Sequence, residues 1–170
     1  MITGRSRKKD VAIAIALVFF ALRMSADARV PLLSLVDLGF HYLGHLVTYP
    51  LPPVVTAAAG SLFQVAVPFA LAVYFFVRDE AGAALCLGWS ATNALDVARY
   101  MADAPYQRLP LFGGKQDWTF VFGRLHLLGT SQEIAGFVRS GAWLMLAAAV
   151  VILARPYLKL VFTKSAAHAA

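Results

Sequence analysis

The feature that most constrains this chain is an unbroken apolar run at residues 53–77, which contains no acidic or basic side chain. Gln64 is its main polar residue, and the run ends abruptly at Arg78-Asp79-Glu80. A helix of about 20 predominantly apolar residues is long enough to cross the hydrocarbon core of a bilayer. The run therefore predicts a membrane-spanning helix.

The composition points the same way for the whole chain. Hydrophobic residues make up 60% of its 170 residues, charged residues make up 14%, and the mean hydropathy is +0.69. A typical soluble domain is roughly 45–50% apolar and about 25% charged. So few charged side chains cannot coat a water-facing surface, which argues against a soluble enzyme, a disordered chain or a DNA-binding module. We predict an integral membrane protein with the lipid bilayer as its surroundings.

The net charge of +6 is concentrated at the two ends of the chain. Basic residues at the mouths of apolar segments follow the positive-inside pattern of membrane proteins, and a phosphate-binding surface would distribute them differently. We therefore predict no nucleic-acid partner. We place both termini on the cytoplasmic side of a bacterial inner membrane. The flanking basic residues are Arg5, Arg7, Lys8, Lys9, Arg155, Lys159 and Lys164.

Five helices are predicted within a single membrane domain. A basic cluster before residues 11–22 mimics a secretory signal peptide, but we interpret this segment as a retained anchor helix. A long connection at residues 105–130 contains an amphipathic segment, 118–128, which is expected to lie in the plane of the membrane interface. The predicted helices cover residues 10–26, 31–49, 53–77, 81–104 and 134–154.

The topology depends on the second helix, which is short and ends at Pro50-Leu51-Pro52-Pro53. If it does not cross the bilayer, four spans place both basic termini on one side. Five crossings would place the basic C-terminal tail outside, against the charge rule. We expect an all-α bundle of four transmembrane spans plus one shorter membrane-embedded helix, with five spans as the alternative.

Two histidines on the second helix are the first candidates for chemistry. His45 follows His41 by four positions, so both imidazoles lie on one helix face within reach of a single metal ion. Asp37, one turn earlier, could orient His41 by accepting its second ring N–H. We expect Asp96 as the third ligand, with Asp103 less favoured. The structural alternative is two neutral histidines hydrogen-bonded inside the bundle.

The helix at 81–104 carries a polar stripe in an apolar context. Ionisable side chains inside a membrane normally face the bundle interior and pair with one another. Asp96, Arg99 and Asp103 could therefore neutralise one another, and Asn93 could hydrogen-bond to Gln64 on the preceding helix. The predicted structural polar network comprises Asp37, Gln64, Asn93, Asp96, Arg99, Tyr100 and Asp103.

A set of short motifs occurs in a fixed order along most of the chain. In order they are His41-x-x-Gly44-His45, Gly60-Ser61-x-x-Gln64 with Pro68, Asn93-x-x-Asp96, Tyr100-x-x-Asp103-Ala104, Leu109-Pro110-Leu111, and Gly113-Gly114 followed by Asp117-Trp118. This array resembles a family of small, mostly uncharacterised multi-span bacterial membrane proteins. Typical members carry His-Glu-x-Gly-His, which is similar to the zinc motif of intramembrane site-2-type metalloproteases. The resemblance implies a zinc site.

This chain departs from that pattern at two positions. Tyr42 stands where the family has glutamate, and Gln116 stands where members usually carry histidine before Asp-Trp. A metalloprotease needs the glutamate to take up a proton, and a phenol is a poor base at neutral pH. We therefore predict a non-enzyme that has lost a catalytic centre.

The expected function is a non-catalytic accessory or structural subunit of a larger bacterial membrane complex, photosynthetic or respiratory. Its partners would be lipid and other integral membrane subunits, and it would need no cofactor. The alternative is a metal-dependent intramembrane hydrolase, or its inactive relative, with zinc on His41 and His45. A small transporter or lipid-handling protein that uses the polar stripe is a third hypothesis, which the absence of an internal repeat weakens.

Overall fold

The computed structural model describes residues 6–109 and 116–168, with side chains up to residue 159. Within these ranges the chain is all-α, with six α-helices, one short 3-10 turn and no strand, which confirms the all-α part of the predicted fold class. The helices are α1 (Arg7–Ser25), α2 (Leu33–Val47), α3 (Pro53–Phe76), α4 (Glu80–Ala102), α5 (Asp117–Arg124) and α6 (Ser131–His168).

The five predicted helices correspond to α1, α2, α3, α4 and α6, and two differences stand out. The last helix begins earlier and continues far beyond residue 154, with Pro156 inside it. The long connection contains α5, whose Trp118, Val121 and Phe122 are buried among protein side chains. That apolar face packs on the bundle. The placement of this segment in the plane of the membrane interface stays a prediction. The motif residues 110–115 lie outside the described ranges.

Two helical stretches are long and apolar enough to cross a membrane, Pro53–Phe76 and Leu128–Lys159. The expectation of four spans is therefore met for two helices only. In α1 the apolar stretch is confined to residues 11–22, between Asp10 and Arg23. A run of that length is shorter than the about 17–25 residues that a spanning helix needs. In α4, the polar residues Asn93, Asp96 and Arg99 lower the mean hydropathy of the helix.

Contacts between helix ends establish how the four long helices run. Lys9 in α1 pairs with Asp79 in the α3–α4 turn, and Arg155 in α6 lies 3.3 Å from Glu80 at the start of α4. At the opposite end, Arg139 in α6 lies 2.9 Å from Asp27, which follows α1. Helices α1 and α4 therefore run in one direction, and α3 and α6 run in the other. We call the end with the α3–α4 turn the turn end, and the other the loop end.

Helix α4 lies at the centre of the bundle, against α1, α3 and α6. Its buried positions are mostly small, including Ala84, Ala91 and Ala98, which have no exposed surface. Gly88 is a point of close approach to α1, since a Cβ there would come within 2.4 Å of Leu17 Cδ2. Small residues of this kind let helix backbones pack closely, so α4 organises the bundle through shape.

Helix α2 occupies only the half of the bundle nearest the loop end. Near its start, Asp37 accepts hydrogen bonds from Trp89 and Asn93 in the middle of α4. After its end, the carbonyl oxygen of Thr48 accepts a hydrogen bond from the hydroxyl of Thr56, in the first turn of α3. The short α2 therefore rises from mid-bundle to the loop end, and this course carries its histidines past α3.

Candidate metal site

Three potential metal ligands from different parts of the chain meet near the loop end. The Nε2 atoms of His41 and His45 lie 3.0 Å apart. Asp117 Oδ2 lies 3.1 Å from the first and 3.4 Å from the second. Within the described ranges this is the group of three His, Cys, Asp or Glu side chains that could hold one metal ion. In a tetrahedral zinc site with bonds of about 2.0–2.1 Å, neighbouring ligand atoms lie roughly 3.3 Å apart.

Outer hydrogen bonds fix which nitrogen of each histidine is available. His45 Nδ1 lies 2.8 Å from the carbonyl oxygen of Thr56, which can only accept, so Nδ1 carries the hydrogen. His41 Nδ1 lies 3.2 Å from Gln64 Oε1 and donates to it in the same way. Both neutral rings therefore present an Nε2 lone pair toward the carboxylate oxygen of Asp117. Three acceptor atoms that face one another are reconciled either by a metal ion between them or by a proton on one imidazole. The spacing of the three atoms fits a metal ion.

The carboxylate of Asp117 is held by its own outer partners at the start of α5. The hydroxyl of Tyr100 lies 3.4 Å from Asp117 Oδ2 and also accepts a hydrogen bond from the Asp117 backbone N–H. Gln116 caps α5, because its Oε1 accepts from the backbone N–H of Thr119 and its Nε2 donates to the Tyr100 carbonyl oxygen. Gln116 therefore acts on the site indirectly, by fixing where α5 begins.

Two glycines make room for the histidines between α2 and α3. A Cβ at Gly60 would lie 2.6 Å from His45 Nε2 and 2.7 Å from His41 Cε1. A Cβ at Gly44 would lie 2.5 Å from the backbone oxygen of Ala59. Neither contact is compatible with a side chain, so these glycines permit the rings and the two backbones to approach closely.

The three ligand atoms border a cavity of about 540 Å³. Its wall combines polar groups with apolar side chains such as Leu38, Val97 and Leu109. Three protein ligands facing an open space are the arrangement of zinc sites that keep a coordination position for an exogenous ligand, whereas purely structural zinc sites are closed. The site can therefore hold a metal and admit a ligand at the same time.

The structure gives the predicted third ligands other roles. Asp96 lines the cavity, but its carboxylate forms an ion pair with Arg99, three residues along the same helix. The carboxylate of Asp103 accepts the backbone N–H groups of Arg108 and Leu109, each at 3.0 Å, and so holds the chain that leaves α4. Asp117 groups with His41 and His45 in place of either residue.

Two further predicted contacts differ in detail. Asp37 accepts from Trp89 Nε1 at 2.8 Å and Asn93 Nδ2 at 2.9 Å, and His41 donates instead to Gln64, so the proposed Asp37–His41 contact is wrong. Asn93 does bond to Gln64, but to its main-chain oxygen, at 2.6 Å. The Gln64 side chain is thereby left to orient His41.

The sequence did not lead us to Asp117 as a candidate ligand. It also did not reveal that Thr56 holds His45 or that Gly60 makes room for the two rings. The one available signal was the Asp117-Trp118 pair, which was noted in the array of motifs but was given no ligand role. Trp118 anchors that start, because its Nε1 donates to the hydroxyl of Ser61 at 3.0 Å and thereby ties α5 to α3.

Comparison of this chain with protein-family models, with curated proteins and with solved structures found no match. The functional assignment therefore rests on the geometry of His41, His45 and Asp117.

Proposed function

We propose that this protein binds one divalent transition-metal ion, zinc by preference, through His41 Nε2, His45 Nε2 and Asp117 Oδ2. The observation that carries the proposal is the convergence of these three atoms at 3.0–3.4 Å, each held by a separate outer partner. Mixed imidazole and carboxylate ligands in a compact set suit zinc better than magnesium or calcium, which prefer oxygen ligands.

We propose further that the site binds a ligand without hydrolysing it. Hydrolysis at such a centre needs a free carboxylate beside the metal to take up a proton. Tyr42 stands where that carboxylate is expected, and the other two acidic side chains of the cavity wall are engaged. Asp37 accepts from Trp89 and Asn93, and Asp96 pairs with Arg99. This favours an inactive relative of a metal-dependent hydrolase, with zinc as a binding element.

The metal content of the purified protein tests this proposal. The full chain in mild detergent, loaded with zinc and exchanged into metal-free buffer, should retain one zinc ion per chain by elemental analysis. His41→Ala and His45→Ala should each lose it. His126→Asn is the matched control, because His126 is exposed and its φ of 57° suits asparagine. Zinc retained by both site variants, or absent from the wild type, would refute the site.

We propose a four-span arrangement in a bacterial inner membrane, with both termini in the cytoplasm. Two of the four are the apolar candidate spans, and α4 is enclosed by α1, α3 and α6, so its polar residues need not meet lipid. The apolar stretch of α1 is short, but the whole 19-residue helix rises about 28 Å, so we propose that it crosses with Lys9 and Arg23 at the two membrane surfaces. Single cysteines at Tyr106 and at Arg78, in a Cys86→Ala background, test this arrangement. An impermeant maleimide added to spheroplasts should label the first and spare the second, and the reverse pattern would contradict the proposed orientation.

The role we propose for the chain is that of a non-catalytic accessory subunit of a larger membrane complex. Support comes from the engaged carboxylates of the cavity and from the many large apolar side chains that lie exposed along α1, α3 and α6. Such side chains are available to lipid and to neighbouring subunits. Native purification in mild detergent should recover the chain with other integral membrane proteins, and recovery as an isolated monomer would contradict this role.

A further inference from the structure

Four arginines gather at the loop end, beside the candidate metal site. Arg23, in the last turn of α1, donates to the carbonyl oxygen of Arg29. Arg99, in the last turn of α4, pairs with Asp96 and donates to the carbonyl oxygen of Asp27. Arg139 in α6 lies 2.9 Å from the carboxylate of Asp27. Three helices and one connection therefore bring these guanidinium groups together.

The carboxylates in this group do not balance the guanidinium groups. Asp27 and Asp96 are the two acidic side chains that pair with the cluster, so four positive charges face two negative charges. No ion pair of the Arg29 side chain is found within residues 6–109 and 116–159. The cluster therefore keeps an excess positive charge that an anionic ligand would neutralise.

A second cavity, of about 210 Å³, lies between two of these arginines. Its lining residues are Arg29, Asp96, Arg99 and Leu109. Arg29, Asp96 and Leu109 also line the larger cavity at the metal site, so the two cavities adjoin. An anion seated between the guanidinium groups would therefore lie at the border of the metal-site cavity.

We propose that Arg29 and Arg99 bind the phosphate of an anionic phospholipid headgroup. Guanidinium groups match phosphate oxygens through paired N–H donors, and basic pockets at the ends of membrane helices bind lipid headgroups in this way. The surroundings favour a lipid over free phosphate. Leu22 is next to Arg23 in the sequence and Leu32 lies three residues after Arg29, and these leucines are 63% and 79% exposed, which supplies apolar surface for acyl chains.

This lipid site goes beyond the proposed metal site and does not depend on it. The full chain, purified in zwitterionic detergent, is titrated with phosphatidylglycerol or phosphatidylcholine, and bound lipid is counted by native mass spectrometry. Phosphatidylglycerol should bind with one tight site, and Arg29→Gln should weaken it about 5-fold, as expected for about 1 kcal/mol per basic residue. Arg78→Gln is the matched control, because Arg78 is exposed at the turn end and should leave binding unchanged.

Two further experiments are needed. The first distinguishes a lipid phosphate from free phosphate, and the second distinguishes the lipid site from the metal site. Inorganic phosphate should not displace phosphatidylglycerol, and displacement at equal concentration would assign the site to a soluble phosphate and overturn the lipid. Protein stripped of zinc should bind phosphatidylglycerol as well as loaded protein does. Equal binding of the two lipids, or an Arg29→Gln variant that matches wild type, would overturn the proposal, whatever the outcome at His41 and His45.

Discussion

The turn end and the loop end of the bundle are built on different principles. At the turn end, alanines of α4 and Gly88 pack against α1, and the surface ion pairs Lys9–Asp79 and Arg155–Glu80 join the helix ends. At the loop end, short helices α2 and α5 carry histidine, aspartate and glutamine into the interior. Close packing of small apolar side chains holds the long helices together. The polar contacts are made mainly by α2 and α5, which pack against the long helices at the loop end.

Backbone geometry divides the molecule in the same way. Four non-glycine residues of the described chain have positive φ, and all lie in the connections at the loop end: Asp27, Leu32, Gln107 and His126. Left-handed backbone costs roughly 1–2 kcal/mol for residues such as leucine. Strain of this kind concentrates where function needs a particular geometry. The comparison teaches that the polar site and the left-handed backbone lie at the loop end, beside a second apolar cluster that includes Trp118 and Phe122. Substitutions at the turn end should therefore leave the site intact.

The largest expected effect is on the loop half alone. Gly60→Ala would place a Cβ 2.6 Å from His45 Nε2 and displace the ligand rings. We expect zinc affinity to fall about 100-fold, the upper range for changes that misplace metal ligands. The thermal midpoint of the metal-free protein should change little. Gly39→Ala is the control, because nothing lies within 4 Å of a Cβ there. A competitive chelator titration measures the zinc affinity of both variants. Equal zinc affinities in Gly60→Ala and Gly39→Ala would contradict the role of Gly60 in placing the histidine rings.

The next effect is on the turn half. Gly88→Ala would bring a Cβ within 2.4 Å of Leu17 Cδ2 and 3.2 Å of Phe20 Cδ2, so these two side chains must move. Overpacking of this kind costs about 1–3 kcal/mol. The unfolding midpoint in detergent should fall, while zinc stoichiometry stays at one. Gly141→Ala in α6 has open space around its Cβ and should be neutral or slightly stabilising. A Gly88→Ala variant that lost zinc without losing stability would show that the halves are not separate.

A smaller effect should follow from removing one hydroxyl beside the metal ligands. Tyr100→Phe deletes the contact with Asp117 but keeps the ring. Loss of an outer partner typically weakens metal binding 10–100-fold, and we expect about 10-fold here because Gln116 still caps α5. Tyr106→Phe, at an exposed position, should leave zinc affinity unchanged. A loss of affinity in both variants would point to a general effect of the loop end.

The smallest effect concerns the charged contact between Lys9 of α1 and Asp79 of the α3–α4 turn. The hydrogen bond from Lys9 lowers the pKa of the Asp79 carboxyl. Because the folded pKa is depressed, the pair stabilises the protein fully above the ordinary value of 3.8 and is lost as the pH falls through the folded pKa. Lys9→Ala should lower stability by less than about 1 kcal/mol at neutral pH, since exposed pairs contribute little. Wild type and variant should converge in acid-unfolding curves.

The helices could be predicted from the sequence where an apolar run or a proline cluster sets their bounds. The charge-free run at 53–77 corresponds to α3, and the proline cluster at 50–53 marks the end of α2. The number of apolar spans was overestimated, because α1 and α4 carry charges near or within their apolar stretches. Helix α4 tolerates its polar stripe through burial by three neighbours, which composition alone does not reveal.

Only the part of the candidate site that lies on a single helix was predictable from the sequence. His41 and His45 share a helix face, so their four-residue spacing was enough. Asp96 looked equally suitable as third ligand, yet Arg99 on its own helix takes up its charge. Asp117 comes from the far side of a long connection, and its approach depends on Trp118 binding Ser61. A contact between elements so distant in sequence leaves no periodic signal.

The most direct test of the central claim compares the zinc affinities of Asp117→Asn and Asp96→Asn, measured by chelator competition on the full chain. The structure predicts that Asp117→Asn loses at least about 100-fold in affinity, since a ligand is removed, while Asp96→Asn keeps one tightly bound zinc ion. Wild-type affinity in Asp117→Asn together with loss of zinc in Asp96→Asn would contradict the assigned ligand set.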